Sequence, residues 1–148
     1  MNDQETIDVW GILHAIHVLG AVVWVGGLFF LLLIMRPAIA ELDPARRVDV
    51  YRAAFHRFLR MLWMVIPGVL LSGYAMMFGE YGGFRDGKWN LHLMHMLGLG
   101  MTVLFLTTWF GPYQPFRKGQ GRAINLIRPL LVTSLFLGLA TIVVATMD

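Results

Sequence analysis

The sequence alternates four long apolar stretches with shorter segments that carry its charged residues. The stretches free of Asp, Glu, Lys and Arg contain 26, 19, 28 and 19 residues: Trp10–Met35, Met61–Gly79, Trp89–Phe116 and Pro129–Met147. About 20 mostly apolar residues are enough to cross a bilayer as a helix. The pattern therefore predicts an all-α integral membrane protein, a four-helix bundle of up-down topology. We expect a single transmembrane domain over residues 1–148, with spans over about residues 8–35, 60–79, 89–111 and 124–147.

The basic residues are concentrated at one end of the predicted bundle. Ten of the twelve Lys and Arg residues lie either between spans one and two or between spans three and four. The positive-inside rule makes that end cytoplasmic and places both termini outside. In a bacterium this arrangement corresponds to a multi-pass protein of the inner membrane with periplasmic termini. The membrane topology explains where the basic residues lie. The net charge of +3 therefore does not indicate nucleic-acid binding.

The connection between spans one and two contains a basic, amphipathic segment over residues 44–60. Asp43 followed by Pro44 is typical of a helix start. Apolar residues then recur at helical spacing: Val48, Tyr51, Phe55 and Phe58. We expect this helix to lie in the cytoplasmic interface of the membrane and to lead into span two. His56 lies within it among arginines, where a solvated or interfacial role is favoured over metal ligation.

Four of the five histidines form two pairs with the same spacing, His14 with His17 and His92 with His95. An ionisable side chain inside a membrane span is costly to bury and is therefore a candidate for function. Residues three apart share one face of a helix. Spans one and three begin on the same side of the membrane, so both pairs are predicted in the outer half of the bilayer. There they can face each other across the bundle.

Three chemical interpretations of these histidines remain open. A b-type haem, one or two per chain, would use imidazoles as axial ligands, and the small residues Gly20, Ala21 and Gly27 would leave a slot for it. A copper site would use three or four imidazoles, with Met94 or Met96 as a further ligand. In the third interpretation the histidines only form hydrogen bonds between helices. The chain has no cysteine, which excludes thiolate ligands and disulfides.

Several runs of the sequence resemble the copper resistance protein D family. In span one these are His17, then Trp24 seven residues later, then Gly26-Gly27 and Met35-Arg36-Pro37. The other similar runs are Arg57-Phe58-Leu59-Arg60-Met61-Leu62-Trp63, Leu71-Ser72-Gly73-Tyr74 and Trp89-Asn90-Leu91-His92. The resemblance covers nearly the whole chain and implies a membrane protein that handles copper.

This family is related to the HemJ-type protoporphyrinogen oxidases, which are membrane haem proteins. That resemblance implies that His17 and His92 bind haem, and it leaves His14 and His95 as further ligands or as a proton-relaying shell. The HemJ type has a lysine two residues after the later histidine, where this chain has Met94. It also has an arginine further along helix one, where this chain has Leu33.

The leading hypothesis from the sequence is a membrane b-type haem protein with a redox or electron-transfer role. In it, histidines of spans one and three hold haem in the outer leaflet, and a quinol or small redox partner meets the haem edge. The alternatives are a copper-binding or copper-transporting protein, a protoporphyrinogen oxidase-like enzyme, and a subunit of a homo-oligomer or larger membrane complex.

Overall fold

The computed structural model describes residues 3–85 and 87–147, with side chains from Val9 onward. Four long helices dominate the described residues, and no strand occurs among them. We label them α1 to α4: Asp3–Phe29, Pro44–Gly79, Trp89–Phe110 and Ile124–Ala145. Each is part of a segment long and apolar enough to cross a membrane, with a mean hydropathy of 1.5 to 2.6. The predicted all-α membrane fold with four spans is confirmed.

The structure extends α1 beyond the predicted end of span one. After Phe29 the chain continues through a π-helix, Phe30–Met35, into a last helical turn, Arg36–Ala38. Pro37 lies inside this continuous helical stretch, which ends only after Ala38. The candidate membrane span therefore runs over Val9–Ala38.

The amphipathic segment and span two form one continuous helix, α2, of 36 residues. At 1.5 Å per residue it is about 54 Å long, which exceeds the roughly 30 Å of hydrocarbon in a bilayer. The segment leads into span two as predicted. Its apolar face, which includes Tyr51, Phe55 and Phe58, is buried against the protein. The rings of Phe55 and Phe116 lie 6.0 Å apart, and Arg52 Nε donates to the Phe116 carbonyl at 2.9 Å.

Phe116 belongs to a short helix, Tyr113–Arg117, in the connection between α3 and α4. This connection lies over the start of α2 and covers the apolar face that the sequence assigned to the membrane interface. Tyr113 and Phe116 are fully buried as a result. The local sequence of residues 44–60 shows an apolar face but does not show which surface will cover it.

The helices are arranged so that α1 packs closely on α2, and α3 packs closely on α4. The contact between α2 and α3 is much sparser, and α1 and α3 lie diagonally across the bundle. The hydrophobic core occupies the half of the bundle that includes the end of α1 and the start of α2. Its most deeply buried side chains include Leu28, Leu59, Leu62, Tyr113, Phe116 and Ile127.

The opposite half, which we call the histidine end, lies where α2 ends at Gly79 and α3 begins at Trp89. Two of the few polar side chains buried in the described residues, Ser72 and Asn90, lie in this half. The extended hydrophobic core does not reach it. The half with the hydrophobic core also contains two buried polar side chains, Thr108 and Ser134, so the two halves differ mainly in the extent of their apolar packing.

Glycines bring α1 and α2 close together. On α1, Gly20 faces Val69 and Gly27 faces the ring of Phe58. On α2, Gly73 faces the ring of His17 and Gly79 faces the ring of Trp10. Each helix thus presents small residues where the other presents large ones, which is how membrane helices achieve close packing. The proposed haem slot at Gly20 and Gly27 is filled here by side chains of α2.

We expect Gly27→Ala to destabilise the protein and its neighbour Gly26→Ala not to. A methyl group at residue 27 would overlap the buried ring of Phe58, whereas a methyl group at residue 26 meets no atom within 4 Å. Overpacking costs about 1–3 kcal/mol, while the gain in helix propensity, up to about 1 kcal/mol, is the same at both sites.

Thermal unfolding in detergent micelles measures the difference between the two variants. Equal unfolding temperatures for Gly26→Ala and Gly27→Ala would contradict the close packing of α1 on α2 at Phe58.

Candidate histidine site

His17 on α1 is held by the backbone of α2. Its Nδ1 lies 2.8 Å from the carbonyl oxygen of Val69, and the Ser72 hydroxyl lies 3.4 Å from the same nitrogen. Ser72 is itself buried and donates to the Gly68 carbonyl at 2.6 Å. A side chain inside a membrane span therefore has a fixed partner on the neighbouring helix.

This hydrogen bond fixes which nitrogen of His17 carries the proton. A carbonyl oxygen can only accept a hydrogen bond, so Nδ1 must be the donor. In the neutral imidazole, Nε2 is then the nitrogen with a free lone pair. Histidines that bind metals usually have this arrangement, with one ring nitrogen donating to a carbonyl and the other facing the metal.

Gly73 makes the position of the His17 ring possible. A methyl carbon at residue 73 would lie 2.9 Å from Cε1 of His17 and 3.2 Å from its Nδ1. Only a glycine leaves room for this edge of the ring to approach α2 so closely. The Ser72-Gly73 pair thus supplies both a polar neighbour and the space for the imidazole.

His95 on α3 also contacts α2, but on a different face. Its Nε2 lies 2.9 Å from the hydroxyl of Tyr74, and the two rings meet edge to face with centroids 4.8 Å apart. Since Gly73 and Tyr74 are consecutive, His17 and His95 contact α2 at the same level. They flank this helix rather than facing each other across the centre of the bundle.

His92, one turn before His95, stacks on Phe84 in the loop between α2 and α3. The ring centroids of His92 and Phe84 are 6.0 Å apart at an interplanar angle of 22°. Phe84 also meets His95 edge to face at 5.4 Å. The second predicted pair therefore shares one aromatic neighbour, and both of its imidazoles are half-buried.

His14 differs from the other three histidines of the two pairs. It is exposed on α1, while His17, one turn further along, is half-buried. Among the described residues, no group of three or more His, Asp or Glu side chains lies close enough to hold a metal ion. The structure thus assembles two separate imidazole positions on either side of α2, not one four-histidine cluster.

His56 lies far along α2 from this site and has its own partner. Its Nδ1 lies 2.6 Å from the hydroxyl of Tyr113, and the two rings are stacked at 6.4 Å. Burial raises the pKa of the Tyr113 phenol, and the nearby charges of Arg117 and Arg60 lower it in part. His56 thus joins α2 to the connection between α3 and α4, a contact that the sequence did not predict.

Sequence reasoning singled out the histidines but missed their partners on span two. Ser72 and Tyr74 belong to a run whose resemblance to a family does not identify them as partners of histidines. The available signal was that both are polar residues in an otherwise apolar span, in the same half of the bilayer as the histidine pairs. Phe84, in a loop, carried no such signal.

Comparison with known proteins agrees with the resemblance in the sequence. The sequence profile of copper resistance protein D matches residues 52–147, nearly two thirds of the chain. The chain belongs to the copper resistance protein D family. The matched part contains most of α2 and all of α3 and α4, and therefore includes His92 and His95 but not His17. No curated protein and no solved structure matches the chain.

We expect Gly73→Ala to displace the His17 ring and Gly68→Ala to leave it in place. Both substitutions replace a glycine of α2, but a methyl group at residue 68 meets no atom within 4 Å. In Gly73→Ala the bond from His17 Nδ1 to the Val69 carbonyl should be lost.

Nitrogen-15 NMR of histidine-labelled protein in micelles reports the tautomer, and His17→Ala assigns the signal. A spectrum of Gly73→Ala identical to that of Gly68→Ala would show that the ring does not depend on this glycine.

Proposed function

We propose that this member of the copper resistance protein D family binds copper as cargo within the membrane, and that His17 is the principal ligand. The observation that carries the proposal is the hydrogen bond from His17 Nδ1 to the Val69 carbonyl. It leaves the Nε2 lone pair free, fixes the ring and supplies the outer partner that metal-binding histidines usually have. Imidazole is a suitable ligand for copper.

Met76 is a candidate second ligand for the same ion. It lies three residues after Gly73, so it shares the face of α2 against which the His17 ring packs. Met76 and its neighbour Met77 are both buried at the histidine end, where few other large side chains are buried. A thioether favours copper in the Cu(I) state, and two ligands are consistent with the lack of a larger cluster of His and acidic side chains among the described residues.

His92 and His95 form a second proposed position, on α3. They are one turn apart and share Phe84 as a neighbour. Two imidazole positions at one level of the bundle favour transfer of an ion from one site to the other over permanent binding at a single site. His14, exposed and one turn from His17, is proposed as a site of first contact rather than as a ligand of the bound ion.

We further propose that the histidine end faces outside, which in a bacterium is the periplasm. Support comes from the ten basic residues in the connections at the opposite end of the bundle. Copper would then enter the protein from the outer side of the membrane.

Haem b, with a redox role, is the second candidate. The free Nε2 of His17 would also suit haem iron as an axial ligand. Against this stands the packing of α1, because Val69 and Phe58 fill the space beside Gly20 and Gly27. A protoporphyrinogen oxidase-like activity depends on the same haem position and is supported by no further contact.

The expected result for the copper proposal is retention of copper by the purified protein and its loss in His17→Ala. Protein in detergent is supplied with copper under reducing conditions and desalted, and the metal-to-protein ratio is measured by mass spectrometry. His14→Ala is the matched control: the same substitution on the same helix, at an exposed residue. It should retain copper.

Met76→Leu should weaken copper retention, and Met64→Leu, at a residue that is 80% exposed, should not. Equal copper content in the unsubstituted protein and in His17→Ala would overturn the proposal.

An absorption spectrum of the same sample, recorded as isolated, tests the second candidate, haem b. A Soret band that His17→Ala abolishes would favour haem over copper.

A further inference from the structure

The sparse contact between α2 and α3 leaves an open cleft of about 430 Å³ between these helices. Trp63, Ile66 and Leu70 line it from α2, and Phe105 and Leu106 line it from α3. Leu71, also in the lining, is 71% exposed. These residues lie within candidate membrane spans, so the cleft opens sideways to the bilayer.

The two residues of the cleft wall that carry a hydroxyl group already have partners. The Thr102 hydroxyl donates to the Gly98 carbonyl at 2.9 Å. The Tyr74 hydroxyl is bonded to Nε2 of His95 at 2.9 Å. The surface that the cleft offers to a ligand is therefore apolar along its whole length. Such a surface suits a hydrocarbon chain and not a polar head group.

Arg60 lies beyond the end of this cleft that is remote from the histidines. It is exposed, and it is the last charged residue before the charge-free stretch Met61–Gly79. Residues seven apart share one face of a helix, so Arg60, Pro67 and Tyr74 lie on one stripe of α2. Pro67 and Tyr74 both line the cleft. Arg60 is thus in line with the cleft, at the depth where α2 enters the hydrocarbon.

A second guanidinium group comes from the connection between α3 and α4. Arg117 is exposed at the end of the short helix that begins at Tyr113. Burial raises the pKa of the Tyr113 phenol, and the charges of Arg117 and Arg60 lower it in part. Both guanidinium groups therefore lie near this one hydroxyl, although they are far apart in the sequence.

These two arginines differ from those that the protein uses internally. Arg52, for example, donates to the Phe116 carbonyl and pairs with Asp49 at 2.8 Å. Neither Arg60 nor Arg117 has a hydrogen bond or an ion pair in the part of the chain that the structure describes. The connections at this end contain ten basic and only three acidic residues. An anion from outside the chain can therefore neutralise the two arginines.

The dimensions of the cleft favour a phospholipid as the source of that anion. The cleft runs along α2 from Trp63 to Tyr74, an axial distance of about 16 Å. One leaflet supplies half of the roughly 30 Å of hydrocarbon in a bilayer, or about 15 Å. An acyl chain in the leaflet next to the basic connections therefore matches the cleft in length. The phosphate of the same lipid would lie at the depth of Arg60, and guanidinium groups bind phosphate oxygens well.

We propose that the cleft between α2 and α3 binds one acyl chain of an anionic phospholipid, and that Arg60 and Arg117 bind its phosphate. The positive-inside rule accounts for the number of basic residues at this end. It does not account for two arginines from separate segments that lie beside one phenol and in line with an apolar cleft. The inference does not depend on copper binding, because His17 lies at the other end of the bundle.

The experiment uses the full chain in phosphatidylcholine nanodiscs that contain an increasing fraction of phosphatidylglycerol brominated on its acyl chains. Bromine quenches tryptophan fluorescence at short range, and Trp63 in the cleft wall is the expected reporter. We expect quenching that saturates at a low fraction of the brominated lipid and that Trp63→Phe largely removes. Phosphatidylcholine brominated on the same chains should quench only in proportion to its fraction.

Two pairs of variants test the two parts of the site. Arg60→Gln should weaken phosphatidylglycerol binding about tenfold, as expected for the loss of a hydrogen bond between charged groups. Arg46→Gln removes the same charge from α2 at a side chain that is 77% exposed, and should leave binding unchanged. Leu70→Phe, which narrows the cleft, should weaken binding about tenfold. Leu19→Phe on the exposed face of α1 should not change it.

Three results would overturn the proposal. Quenching that is proportional to the lipid fraction and equal in Arg60→Gln and Arg46→Gln would show that the lipid only surrounds the protein. Equal saturable quenching by brominated phosphatidylcholine would show that the cleft binds a chain without recognising an anion. Full displacement of the lipid by soluble glycerol phosphate would show a site for free phosphate. His17→Ala separates the two proposals, because it should lose copper and still bind phosphatidylglycerol.

Discussion

The close approach of α1 to α2 is the constraint on which the candidate site depends. It is achieved by reciprocal packing, in which Gly20 and Gly27 accept side chains of α2, and Gly73 and Gly79 accept rings of α1. Without hydrophobic force between helices in lipid, such contacts are a main source of attraction. The same packing delivers His17 to the Val69 carbonyl, so stability and the orientation of the imidazole have one structural origin.

The bundle combines two kinds of interior. Towards the basic connections, aromatic and aliphatic side chains form a continuous core around Leu28, Leu59 and Ile127. Towards the histidine end, polar groups satisfy one another across helices, as in His17 with Val69 and Tyr74 with His95. Buried polar groups need such partners because an unmade hydrogen bond in an apolar medium is costly. The interhelical hydrogen bonds of His17 and His95 thus lie in the half with the weaker apolar packing.

The fold could be predicted from the sequence because hydrophobic length is a strong and local signal. Four charge-free stretches predicted four spans, and the structure confirms them. The surroundings of the histidines could not be predicted in the same way. The spacing of His14 and His17 shows that they share a helix face, but only the packing of α1 on α2 shows that one ring is held and the other is exposed. Likewise, the apolar face of residues 44–60 was visible, and its burial under Phe116 was not.

The length of α2 has a mechanical consequence. One rigid element contacts Tyr113 through His56 near one end, and it contacts His17 and His95 at Gly73 and Tyr74 near the other. About 25 Å of helix separates these contacts. Turning α2 about its axis as a rigid unit would therefore disturb all of these contacts together. Pro67 lies between them and lacks the N–H that would complete the helical ladder, which makes it the natural point for a bend to uncouple the two ends.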